Sequence, residues 1–258
     1  MRIAGTVTFI TGGSGGIGES IARHFAAEGG SVVIADIADK AGEAVCSAIT
    51  QAGGSAGFVH CDVSNESDVR KAVAAGVSQF GRLDAAVNCA GVWDRRDKYL
   101  DTTEEVWNRV VDINLKGVFL SCKYEIPALV EAGGGSLVNI GSMAALRGSA
   151  EPELAYAASK GGVVALTLHL AVEYARHGLR ANVICPGPVE TSLNAAWMAA
   201  LRQNKAELDR RMIHIPLRRF GRPEEIAKIA LFLVSPDSSL MTGAIVEADG
   251  GMAAAYVT

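Results

Sequence analysis

The chain has 258 residues, 24 Lys and Arg against 28 Asp and Glu, and 49% hydrophobic residues. That length is the upper end of what one core holds, so a single large domain is expected; the apolar content excludes a disordered chain, and the net charge of −4 lacks the basic balance of a nucleic-acid binder. The 29 glycines, about 11% against roughly 7% on average, follow no three-residue period and come with only 7 prolines, which excludes collagen and proline-rich disorder.

Short apolar runs recur at 7–11, 32–35, 56–60, 85–88, 137–140, 181–185 and 244–247. They lack period-two alternation, the pattern of parallel strands buried on both faces. Between them lie segments with helical spacing: Ile17, Ile21, Ala22 and Phe25; then Val69, Val73 and Val77; and, more loosely, Val106, Val110, Ile113 and Val118. Glycines stand where these patterns stop, as at Gly29-Gly30, Gly53-Gly54, Gly81, Gly133 to Gly135 and Gly178. Thr102 with Glu105 has capping-box spacing, and Pro223 followed by Glu224 and Glu225 reads as a first turn. Alternating β and α predicts a three-layer α/β/α, Rossmann-type doubly wound parallel sheet of about seven strands with right-handed crossovers. The reading is one domain over 1–258, with an irregular zone from Pro186 to Arg222 that supplies a partly helical lid over 188–222.

No run reaches about 18 apolar residues, so no membrane span is expected, and the N-terminal apolar stretch lacks the flanks of a signal peptide. Cys46, Cys61, Cys89, Cys122 and Cys185 are scattered and form no C-x-x-C, which predicts reduced thiols, a cytoplasmic location and no metal site.

The first strand ends in Thr11-Gly12-Gly13-Ser14-Gly15-Gly16-Ile17-Gly18, and a helix follows at once. Glycines there permit a tight turn, close backbone approach to a pyrophosphate and close packing of helix on strand, while the helix N-terminus offers free N–H groups to phosphate. A Walker lysine is absent, which excludes a P-loop ATPase. Asp36 closes the second strand about 20 residues on, where a carboxylate accepts from the adenosine ribose hydroxyls and repels a 2′-phosphate. An ordinary turn aspartate capping the next helix is the alternative. No Arg or Lys stands at Ser14 or Gly15, so NAD is favoured over NADP.

From about Thr6 to Met252 the chain resembles the short-chain dehydrogenase/reductase family of the TGxxxGxG / YxxxK type. The resemblance rests on Thr11-Gly12 through Gly18, Asp62-Val63, Asn88-Cys89-Ala90-Gly91, Asn114, Ser142, Tyr156 with Lys160, Pro186-Gly187 with Val189 and Thr191, and Asp249-Gly250-Gly251, in the family's order and spacing. Cys89 departs from the Asn or Ala frequent there.

Tyr156 and Lys160 are four apart and share one helix face. A tyrosine of pKa about 10 is a poor base near neutrality, and a neighbouring ammonium, with the positive nicotinamide ring, is expected to favour its phenolate. Ser142 follows the fifth strand at the sheet's carboxyl edge, positioned to hold a substrate oxygen while Tyr156 exchanges the proton. A Tyr-x-x-x-Lys pair alone reads as a surface helix pair; Ser142 and the glycine loop reverse that. The resemblance implies that Asn114 anchors a water relay from Lys160 and that Lys160 also binds the nicotinamide ribose. It implies further cofactor contacts at Ile37, Asp62, Val63, Ala90, Gly91, Pro186, Gly187, Val189 and Thr191. Asn88 either lines the crevice or ties adjacent strands, and Asp249-Gly250-Gly251 reads as a turn.

Trp93, Met143 and Trp197 are candidates for the substrate wall, with Leu146 and Met198 beside them. Between Arg202 and Arg222 stand seven basic residues against Glu207 and Asp209, a surplus that steers an anionic substrate or else forms a solvated face or subunit contact. The charged run Asp94 to Lys98 reads as a solvated loop, and Trp107 as core or interface. The expected function is NAD-dependent interconversion of a secondary alcohol and a ketone. The alternatives are a 3-oxoacyl-carrier-protein reductase and, of another class, a non-catalytic NAD-sensing or scaffold protein. The substrate, whether sugar, steroid, cyclic alcohol or diol, or hydroxy acid, stays open. The resemblance also implies a homotetramer paired through long helices over 104–130 and 155–176, and neither nucleic-acid nor membrane partners are expected.

Overall fold

The computed structural model describes residues 1–93, 99–148 and 153–255; the charged run from Asp94 to Lys98 lies outside them. Seven parallel strands form one sheet: β1 (Val7–Thr11), β2 (Ser31–Asp36), β3 (Ser55–His60), β4 (Ala85–Asn88), β5 (Gly135–Ile140), β6 (Leu179–Pro186) and β7 (Ile245–Ala248). Their order is β3-β2-β1-β4-β5-β6-β7, so the winding reverses between β1 and β4. Each expected apolar run is a strand, within two residues at either end.

Two helical layers cover the sheet. One cluster packs α3 (Glu66–Phe80), α5 (Gly117–Glu131) and α6 (Leu154–Tyr174) against Phe9, Val33, Leu137 and Val183. The other packs α1 (Gly16–Ala27), α2 (Asp39–Gln51) and α9 (Pro223–Val234) against Ile10, Ile34, Val138 and Ile184. Alternation is therefore present within each strand but invisible to hydropathy, because both faces are buried. Phe9 and Phe25 are fully buried, one in each layer, and each contributes about 1.5–3 kcal/mol by burial.

Two expectations are corrected locally. The helix expected over 104–130 divides into α4 (Glu104–Val111), a π turn (Asp112–Lys116) and α5, because one extra residue is accommodated around buried Asn114. The cap of α4 is Thr103, not Thr102: its extended backbone lets its hydroxyl accept from Val106 N at 3.3 Å and donate to Glu105 at 3.3 Å. Gly81 and Gly178, at φ 82° and 73°, supply the left-handed turns that end their helices. Between β6 and α9 the chain forms α7 (Ala195–Gln203) and α8 (Lys205–Ile213), and a parallel bridge between Val189 and Gly221 closes the excursion at its base.

With the turn that follows it, α6 is long and apolar enough to cross a membrane by length and composition (Leu154–His177). Its apolarity is that of a core helix: Val163, Val164, Leu170 and Ala171 pack on the sheet, and the same helix buries Ser159, Lys160 and Thr167.

A buried polar network crosses this layer. Asn88 Nδ2 donates to Glu125 Oε2 and to Asn139 Oδ1, each at 3.0 Å, and Asn139 Nδ2 donates to Thr167 Oγ1 at 2.9 Å. It links α5, β4, β5 and α6. Among the described residues Glu125 Oε1 has no hydrogen-bond partner, and burial pushes the carboxyl from its ordinary 4.5 up to about 8. The fold therefore binds this proton more tightly than the unfolded chain does. The resulting stabilisation is full below about pH 4.5 and is lost as pH rises through about 8. Glu125→Gln is expected to flatten the loss of thermal stability between pH 5 and 8.5, with the variant gaining on the wild type as pH rises. A constant difference in melting temperature across that range would show that the Glu125 carboxyl is not raised in the folded state.

Candidate active site

The carboxyl ends of the strands border a cavity of about 1140 Å³ running from the glycine loop to α8. At its centre β1 and β4 approach closely. A Cβ on Gly12 would lie 2.7 Å from Ala90 Cα, and Thr11 Oγ1 accepts from Cys89 N and Ala90 N at 3.2 and 3.3 Å. Gly12, Ser14, Gly15, Gly16 and Ile17 line the loop end. Gly18 does not line it: a Cβ there would meet Gly12 O at 2.0 Å, so its role is to let α1 pack against the loop. Asp36 Oδ2 accepts from Ser14 N at 3.1 Å and Oδ1 from Ala38 N at 3.0 Å, which ties the glycine loop to the end of β2, and Asp36 also lines the cavity.

Ile37, Asp62, Val63, Ala90 and Gly91 form the adjoining wall, and Pro186, Gly187, Val189 and Thr191 the opposite one. Asn88 is absent from the lining. Its amide serves the polar network below the sheet, which decides for the strand-tying role of the two open in the sequence. Asp249 accepts from Gly251 N at 2.9 Å and Ala253 N at 2.6 Å, the expected turn.

Ser142, Tyr156 and Lys160 line one end together. Ser142 caps a short turn by accepting from Ala144 N at 3.1 Å, and its hydroxyl also bonds Tyr156. Lys160 Nζ donates to Ile140 O at 2.8 Å and lies 5.9 Å from the Tyr156 ring centre. Among the protein's own groups, the ammonium does not govern the tyrosine. Burial pushes Tyr156 up to about 12; the Ser142 hydrogen bond opposes the rise and the Glu153 carboxylate adds to it. Burial likewise pulls Lys160 down to about 8. Asn114 is buried behind them in the π turn. Its Oδ1 accepts from Val92 N at 2.8 Å, and its Nδ2 donates to Val92 O and Ser159 Oγ at 2.9 and 3.2 Å. That side chain fixes the strand-end loop and α6 and does not open on the cavity.

Trp93, Met143 and Trp197 line the far end as expected, whereas Leu146 is absent from the lining and Met198 is buried away from it. Trp93 and Trp197 meet edge to face at 5.7 Å, and Phe220 stacks behind Trp197 at 6.0 Å. Sequence reasoning missed Arg147, Glu153 and His214, which line this end together with Arg211 of the basic stretch. Glu153 carried the only local signal, its place three residues before Tyr156 at the start of α6. The basic surplus is largely neutralised in place: Glu190 pairs with Arg202 at 2.7 Å, Glu207 with Arg210 and with Arg211 (2.8 Å), and Glu225 with Arg219 at 2.6 Å. The five cysteines are unpaired, and among the described residues no group is arranged to hold a metal ion.

A family model described as Enoyl-(Acyl carrier protein) reductase matches residues 12–253. The chain is 39% identical over 244 residues to a cyclohexanol dehydrogenase of Acinetobacter sp. strain SE19, covering 95% of this chain and 93% of that one. It is 37% identical over 256 residues to a 3-oxoacyl-acyl-carrier-protein reductase of Thermotoga maritima, covering 98% and 99%. A solved short-chain type dehydrogenase/reductase from Mycobacterium marinum superposes with a TM-score of 0.90 at 33% identity, over 97% of this chain and 96% of that one. The chain belongs to the short-chain dehydrogenase/reductase family. Members of this family are oxidoreductases that use a nicotinamide cofactor, and the cradle between Gly12, Asp36 and Gly91 fits one: a Cβ on Gly91 would stand 3.2 Å from Asn114 Oδ1 and 3.6 Å from Lys160 Nζ, closing the approach to the lysine. Gly18→Ala is expected to displace the loop at a cost of about 1–3 kcal/mol, weakening NADH binding about tenfold or more in a fluorescence titration. Unchanged affinity would show that the loop yields freely.

Proposed function

We propose that the chain is an NAD-dependent oxidoreductase that interconverts a secondary alcohol and a ketone by hydride transfer. The observation that carries this reading is the meeting of the glycine loop with Ser142, Tyr156 and Lys160 in one cavity. A bound nicotinamide supplies the hydride acceptor or donor. Ser142 holds the substrate oxygen, and Tyr156 takes the hydroxyl proton in oxidation and returns it in reduction. Lys160, lowered to about 8 and anchored on Ile140 O, supports the phenolate as it forms, together with the positive nicotinamide ring, and meets the nicotinamide ribose. Asn114 keeps Val92 and Ser159 in place beside this set and so maintains the relay to solvent. No metal takes part, since oriented hydrogen bonds and proton transfer supply the catalysis.

The preference for NAD rests on Asp36, whose carboxylate at the end of β2 accepts ribose hydroxyls and repels a 2′-phosphate. The excursion over 188–222 acts as the lid. Glu190, Glu207 and Glu225 pair with Arg202, Arg210, Arg211, Arg219 and Arg222, which weakens the basic face that favoured an acidic carrier as partner; a small alcohol or ketone is the better-supported substrate. The name cyclohexanol dehydrogenase on one relative accords with a ring alcohol. A homotetramer is supported by outward apolar residues on the paired helices, with Trp107, Phe119 and Leu168 partly exposed and Val172 83% exposed. A cytoplasmic location accords with the five unpaired thiols.

Tyr156→Phe is expected to cut turnover by about 10² or more while leaving NADH binding intact by fluorescence. Near-normal turnover in that variant would remove the mechanism. Asp36→Ala is expected to shift the ratio of kcat/KM for NAD over NADP by about tenfold or more toward NADP; a wild type that already prefers NADP would overturn the assignment of Asp36.

A further inference from the structure

The substrate end of the cavity joins an aromatic wall to a carboxylate. Trp93 and Trp197 stand edge to face at 87°, and they present indole surface to whatever occupies the space beside Met143. Flat or ring-shaped apolar surface suits such a wall. Beside it, Glu153 Oε2 accepts from Trp93 Nε1 at 3.1 Å, so the aromatic wall and the carboxylate fix one another. The other Glu153 oxygen receives no hydrogen bond from the described residues. Glu153 stands immediately before α6, three residues ahead of Tyr156, close enough for its charge to bear on the tyrosine hydroxyl.

The charges around this end limit what it can take. A carboxylate next to the reacting tyrosine repels an anionic group there. The guanidinium groups at the same end are committed: Arg211 to Glu207 at 2.8 Å and over the Trp197 ring at 5.4 Å, Arg147 to Leu146 O at 2.9 Å. Their positive charge disfavours a cation. A neutral donor is left, and an ionised carboxylate makes its strongest neutral contact with a hydroxyl.

We propose that Glu153 is the specificity-determining acceptor for a second hydroxyl, and that the substrate is a neutral hydroxylated ring: a cyclic diol in oxidation, a cyclic hydroxyketone in reduction. The inference rests on the alcohol–ketone reading of the same site. In oxidation the hydride leaves the reacting carbon for the nicotinamide and the proton of its hydroxyl passes to Tyr156. The second hydroxyl stays intact and donates to Glu153.

The test compares cyclohexanol, cyclohexane-1,2-diol and 2-methoxycyclohexanol with the wild type and with Glu153→Ala, by NADH absorbance. The wild type should favour the diol over both mono-alcohols by about tenfold or more in kcat/KM, the worth of one hydrogen bond to a charged group. The methyl ether, which keeps the size but cannot donate, should lose that preference, and this arm needs no variant. Glu153→Ala should bring the diol-to-cyclohexanol ratio close to one. Quenching of tryptophan fluorescence by the diol, titrated without cofactor, should weaken in parallel. Equal ratios in wild type and variant, or a methyl ether as good as the diol, would overturn the role of Glu153 and leave the alcohol–ketone reading standing. A wild type that oxidises none of the three, with either nicotinamide cofactor, would remove both.

Discussion

The arrangement depends on how closely β1 and β4 approach where the winding reverses. Gly12 sits against Ala90 with no room for a side chain, and Thr11 clamps the backbone of Cys89 and Ala90 through its hydroxyl. That contact sets the floor of the cavity. The glycine loop leaves β1 above it, Gly91 leaves β4 beside it, and the two strand ends diverge to open a crevice of the kind in which open parallel sheets bind ligands. A bulkier residue at either point would force the loop and the crevice wall apart together, so cofactor cradle and sheet register are one constraint.

Below this floor the polar groups are spent on architecture, and above it on chemistry. Asn88, Asn139 and Thr167 join neighbouring elements under the sheet and are sealed by Glu125. A carboxyl that favours its proton there avoids a buried charge and keeps the network nearly neutral. Lys160 stands at the boundary. It is buried and held by a strand carbonyl, so the energetic cost of its desolvation is carried by the fold at the point where the tyrosine needs a neighbouring cation. The balance between a tyrosine raised by burial and a lysine lowered by it favours proton exchange between them over a permanent phenolate.

Much of this was legible in the sequence. The seven strands were readable because each carries a short, largely apolar run without period-two alternation, and the loop because its glycines fall between a strand and a helix. Tyr156, Lys160 and Ser142 were readable as a spacing. Other features depend on contacts between segments far apart in the chain. Whether Asn88 faces the crevice or the core is set by strand parity, and Glu125 completes its network from 37 residues away. Glu153 escaped the sequence because its partner Trp93 lies 60 residues upstream. The lid's charge balance was misjudged because Glu190 and Glu225, outside the basic stretch, neutralise part of it.

The π turn at 112–116 has a bearing on insertions and deletions. Buried positions run Val110, Asn114, Val118, Cys122, Glu125 and Leu129, a slower drift than 3.6 residues per turn allows, and the extra residue absorbs the difference. That is why the apolar repeat from Val106 to Val118 looked loose. A chain one residue shorter here could form an unbroken helix, but α5 would then be rotated by about 100° relative to α4. The face carrying Glu125 and Leu129 would turn out of the core, or Val110 would. The irregular turn thus works as a phase adjuster, letting one continuous rod meet the substrate side of the sheet at one end and its buried middle at the other.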